Sequence, residues 1–149
     1  MSLLKNINEE LKLAMKSKDS LKLESFRAIK SAMLLSKTST GGNIELSLEE
    51  EIKLLQRLVK QRKDSAVIYR QENRIDLAEP EEQQADVIMS FLPEQASAYE
   101  IEKIVLEIIN KINAEGIKDM GKVMGMATKE LSGKAEGKII SGIVKSKLL

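Results

Sequence analysis

The chain has 149 residues, 24 lysines and arginines against 23 aspartates and glutamates, and neither cysteine nor histidine. That length suits one domain or two small helical subdomains, and it is enough to bury an independent core. The missing residue types exclude disulfides, thiolate nucleophiles, an imidazole base and the commonest metal ligand.

The apolar residues are leucine, isoleucine, valine, methionine and alanine, with only Phe26, Phe91, Tyr69 and Tyr99 as aromatics, a supply that favours helix over sheet. Ser2 can cap a first helix, with Leu4, Ile7, Leu11 and Ala14 or Met15 on one face. Asp19 or Ser20 opens a second, carrying Leu23, Phe26, Ile29 and Met33. The polar run from Lys37 to Asn43 reads as a mobile loop. Ser47-Leu48-Glu49-Glu50 is a capping box, and the helix it starts carries Leu48, Ile52, Leu55, Val59 and Ala66 to about Gln71. A fourth helix begins between Asp76 and Pro80, with the proline in its first turn, and stops near Leu92 ahead of Pro93.

A second capping box, Ser97 with Glu100, opens a fifth helix bearing Ile101, Ile104, Val105, Ile108 and Ile112, which Gly116 ends. Asp119 caps a sixth, with Met120, Val123 or Met124, Ala127 and Leu131 turned inwards until Gly133. The seventh runs from about Glu136 with Ile140, Ile143 or Val144 and Leu148 buried. No segment alternates with period two. The expectation is an all-α fold of two helical subdomains: residues 1–92 with four helices, including a long antiparallel hairpin, then 93–149 as a three-helix bundle.

The opening residues lack the apolar core of a signal peptide, and no stretch approaches the roughly 18 apolar residues of a membrane span, so a cytosolic, membrane-free protein is expected. The net charge of +1 hides a pattern. Lys53 to Lys63 holds five basic residues and no acid, while Gly116 to Leu149 holds seven lysines against Asp119, Glu130 and Glu136. Local potential can attract a polyanion even when the total is near zero.

Lys118-Asp119-Met120-Gly121-Lys122-Val123-Met124, then Gly133-Lys134-Ala135-Glu136-Gly137-Lys138, then Val144-Lys145-Ser146-Lys147-Leu148 resembles the C-terminal signature of the GatB/YqeY family. Lys60 to Ser65, Arg74 to Glu79 and Phe91-Leu92-Pro93 are similar to that family's middle blocks, in the same order. Two positions depart from the pattern: Pro80, where relatives more often carry a helix-forming charged residue, and Glu136, where aspartate is more typical. The resemblance implies a free-standing version of the tail of the GatB subunit. In that glutamine-dependent amidotransferase, a carbon–nitrogen ligase of translation, the tail touches the body of tRNA while the chemistry happens elsewhere. No catalytic constellation is recognisable here: there is no Gly/Ser-rich amidase run and no Walker-type phosphate cradle.

Gly133, Lys134, Gly137 and Lys138 lie at a helix-to-helix junction whose N–H groups and lysines would suit a phosphate. They read equally as an ordinary glycine cap with solvated lysines, and the resemblance favours phosphate contact. Lys118, Lys122 and Lys145 complete that nucleic-acid-binding set, and Lys60, Arg62 and Lys63 form a second basic patch. Gly121 and Gly125 read most simply as a close helix–helix contact. With few aromatics to stack on bases, RNA recognition is expected through shape and backbone. The rival reading is an adaptor docking on an amidotransferase or an aminoacyl-tRNA synthetase subunit without touching RNA. Neither reading requires a cofactor or a metal.

Overall fold

The computed structural model describes residues 3–39 and 45–149. These form seven α-helices and one 3-10 turn, with no strand among the described residues. Met1, the expected cap Ser2 and residues 40–44, which include 40–43 of the expected loop, lie outside them. By their contacts the residues divide into two compact units, Met1–Leu92 and Pro93–Leu149.

In the first unit, α1 (Leu3–Ser17) buries Leu3, Ile7, Leu11 and Ala14, which recur at helical spacing. Ala14, not Met15, takes the fourth position. α2 (Ser20–Ser39) begins where the Asp19 carboxylate accepts the Lys22 N–H at 3.1 Å. It runs on through Lys37 to Ser39, which were expected in a loop, and Lys37 lies in a last turn that favours positive charge. α3 (Leu48–Gln71) opens with the expected capping box: Glu50 N–H to Ser47 Oγ at 3.2 Å and Ser47 N–H to Glu50 Oε2 at 2.8 Å. Its buried stripe is Leu54, Leu55, Leu58, Val59 and Ala66. Leu48 was expected there but, as the first helical residue, is 72% exposed.

α4 (Ile75–Met89) starts earlier than expected, which puts Pro80 beyond the first turn and inside the helix. Arg74 fixes the start: its carbonyl accepts the N–H of Leu77 and Ala78 at 3.1 and 3.0 Å. Its guanidinium grips the Asp76 carboxylate with two contacts of 3.1 Å. The pairing holds the Asp76 carboxyl below its usual range. α3 packs most extensively on α4. Arg70 holds Glu82 across that pair, and Gln84 accepts from Arg62 at 3.1 Å while donating to Glu24 of α2 at 3.1 Å. Phe26 and Phe91 meet edge to face at 5.6 Å.

The second unit holds α5 (Ala98–Ile112), α6 (Met120–Glu130) and α7 (Gly137–Leu148), which all touch one another around Ile101, Val105, Ile108, Val123, Ala127, Ile140 and Val144. Only half of the second capping box forms: Ser97 Oγ accepts from Glu100 N–H at 3.2 Å. Asn113, at φ 53°, takes the left-handed position expected of Gly116. Three helix ends close in this way. Lys18, Asn73 and Asn113 have positive φ, and the next N–H returns to Ala14, Tyr69 and Ile109 respectively at 3.1, 2.7 and 3.0 Å.

Candidate nucleic-acid interface

The lysine-bearing segments of the second unit begin with a folded loop. Gly116, at φ 88°, and the 3-10 turn Ile117–Asp119 lead into α6. Asp119 stands at the cap position, but its carboxylate reaches backwards to accept the Glu115 N–H at 2.7 Å. It therefore braces the loop instead of capping α6 as expected. Lys118 lies 3.7 Å from Glu115, whereas Lys122 is exposed with no ion pair among the described residues.

Gly121 and Gly125 are also exposed, and a Cβ on either would meet nothing within 4 Å. The close helix–helix contact expected of them is absent. They sit opposite Val123 and Ala127, the pair that α6 turns inwards.

The junction between α6 and α7 is held from both sides. Gly133 is buried at φ 76°, a conformation costly for most other residues, and Lys134 N–H closes a turn on Leu131 at 2.9 Å. Gln95 Nε2 donates to Gly133 O, and Ala96 N–H to Lys134 O, each at 2.8 Å. With those carbonyls engaged inwards, Lys134 extends into solvent.

At the start of α7 the N-cap residue Glu136 makes no side-chain cap hydrogen bond, and its carbonyl accepts the N–H of Ile139 and Ile140. The N–H groups of Gly137 and Lys138 thus form an uncapped first turn beside Lys134 and Lys138. Lys145 follows Lys138 by seven residues, so the two share a face about 10 Å apart along the axis.

The other end of α7 lies against the loop before α6: a Cβ on Gly116 would stand 3.8 Å from the Leu148 carbonyl. The predicted residues therefore divide between the ends of the α6–α7 pair. Gly133, Lys134, Gly137 and Lys138 occupy one end, and Lys118 and Lys122 the other, nearer Lys145. Exposed Lys129, seven residues after Lys122, belongs to the same stripe of α6 and was missed, although that spacing was legible. Lys147, by contrast, is tied to Glu102 of α5 at 2.7 Å.

The second predicted patch is committed differently. Lys60 pairs with Asp64 at 2.8 Å, Arg62 is spent on Gln84 and the Leu58 carbonyl, and Lys63 also has an interaction within the chain. Among the described residues no group of three carboxylates suited to a metal occurs.

Residues 4–148 match the family described as Yqey-like protein. The chain belongs to the YqeY-like family. This YqeY-like chain is 32% identical over 115 residues to "Altered inheritance of mitochondria protein 41, mitochondrial" of Clavispora lusitaniae (strain ATCC 42720), covering 76% of the chain and 66% of that protein. It is 30% identical over 135 residues to the protein of the same name in Pyrenophora tritici-repentis (strain Pt-1C-BFP), covering 89% of the chain and 72% of the relative. The YqeY-like chain thus spans about two thirds of the first relative's length. Both names place those relatives in mitochondria, which does not fit the plain cytosolic expectation. No helix among the described residues is long and apolar enough to cross a membrane.

Proposed function

We propose that this YqeY-like protein is a non-catalytic module that binds the sugar-phosphate backbone of tRNA and serves a glutamine-dependent amidotransferase. One observation carries the reading: Lys122, Lys134, Lys138 and Lys145 are exposed on α6, α7 and their junction without an ion pair among the described residues. Two of them flank the uncapped start of α7, where N–H groups and helix dipole both favour an anion. The resemblance of this region to the GatB tail supplies tRNA as the polyanion. It also supplies amidotransferase or aminoacyl-tRNA synthetase subunits as protein partners. Under this reading the architecture is a four-helix part built on a long α3–α4 hairpin, followed by a three-helix bundle. The Arg70–Glu82 and Arg62–Gln84 contacts support opposed directions for α3 and α4.

The test is a filter-binding titration with bulk tRNA across a range of salt. Each phosphate neutralised contributes nearly one unit to the slope of log affinity against log salt. Lys134→Ala/Lys138→Ala should therefore lower that slope by about 2 while leaving helicity unchanged. Unchanged affinity and slope would dismiss this interface. Fractionation of the host, followed by an immunoblot of each fraction, decides between the cytosol and the mitochondrial location that the relatives' names carry.

A further inference from the structure

The first unit holds an open groove of about 770 Å³ that the RNA reading does not use. Helix periodicity builds it. Leu3 and Glu10 stand two turns apart along one side of α1, Leu3 buried and Glu10 at the edge, Lys22 and Phe26 are one turn apart on α2, and Glu51 comes from the first turn of α3. Asp86 and Val87 from the end of α4, and Phe91 from the turn after it, close the groove. Its floor is apolar and rigid, because both phenylalanines of the chain meet there edge to face.

Its rim is acidic. Among the described residues that line it, Glu10, Glu51 and Asp86 stand beside a single basic side chain, Lys22. Glu10 and Asp86 make no ion pair among the described residues. Burial pushes the Glu51 carboxyl above its usual range, with a hydrogen bond from the Leu3 backbone N–H and the charge of the chain's amino terminus acting the other way. Three carboxylates around an apolar floor attract cations and repel the polyanion assigned to α6 and α7.

We propose that this groove is a docking site for a basic amphipathic peptide segment of a partner protein. Apolar side chains cover the Phe26–Phe91 pair, and flanking lysines or arginines meet Glu10, Glu51 and Asp86. The volume falls within the range of ligand clefts, while its open form suits a peptide lying along it.

Fluorescence anisotropy with a labelled, acetylated and amidated 12-residue peptide of alternating lysine and leucine pairs provides the test. The full-length protein should bind this probe, and the Glu10→Gln/Asp86→Asn variant should bind it about tenfold more weakly. Ser90→Lys, which adds a positive charge at an exposed groove position, should weaken it similarly. Spermine, which has charge without an apolar body, should compete at least about tenfold less well than unlabelled peptide. Affinity for bulk tRNA should be unchanged in these variants, so failure here is separate from failure of the tRNA interface. The proposal is overturned if the probe does not bind, if the variants bind it as the wild type does, or if spermine competes equally.

Discussion

Gly125 of α6 and Gly142 of α7 occupy helix interiors, and a Cβ added to either meets no atom within 4 Å. Each lies about 200° around its helix from a fully buried residue, Val123 and Ile140 respectively, so neither faces the core. A glycine in such a place sacrifices about 0.8–1.0 kcal/mol relative to alanine and gains no contact in return. Because the two sites are on different helices with no common neighbour, their effects should add. The double variant Gly125→Ala/Gly142→Ala should therefore stabilise the second unit by about 2 kcal/mol. For a unit of 57 residues, 93 to 149, that corresponds to a rise in melting temperature of roughly 8–16 °C. Urea titration of the full chain by far-UV circular dichroism, with thermal melts, measures both quantities. A loss of stability would show that these positions pack against something and would refute the argument from open space.

Three further changes probe other links in the chain of reasoning. Ala78 is fully buried on α4, so Ala78→Leu should overpack its surroundings and cost about 1–3 kcal/mol by denaturant titration. Lys18 carries a side chain in the left-handed region, so Lys18→Gly should relieve up to about 1 kcal/mol in thermal melts. A carboxyl with a raised folded-state pKa contributes relative stability below its unfolded value and loses it as pH rises through the folded value. Glu51→Gln should therefore gain on the wild type as pH climbs from 4 to about 7, in melts recorded across that range. A constant difference would refute the burial argument for Glu51.

The residues that declared themselves in the sequence did so through local chemistry. The Ser47–Glu50 box and the 3.6-residue spacing of Ile7, Leu11 and Ala14 need only a few neighbours along the chain. The failures arose where more than one local solution exists. Asparagine tolerates the left-handed region almost as glycine does, so Asn113 could close α5 three residues before Gly116. Arg74 could start α4 early through its carbonyl and its grip on Asp76, leaving Pro80 an interior position. At the interface, spacing identified which lysines share a helix face. It carried no sign of their partners: that Arg62 is spent on Gln84, 22 residues on, depends on how α3 meets α4. The groove was invisible for the same reason, since its carboxylates come from three separate helices.

The bonds from Gln95 and Ala96 to the Gly133 and Lys134 carbonyls have a bearing on how such a module could be transplanted. By secondary structure alone, the second unit would be cut at Ser97, the cap of its first helix. That cut would discard both donors that hold the glycine-lysine turn. A graft onto an unrelated body should keep the stretch from Pro93 onward, because those four residues look like a tether but act as a splint.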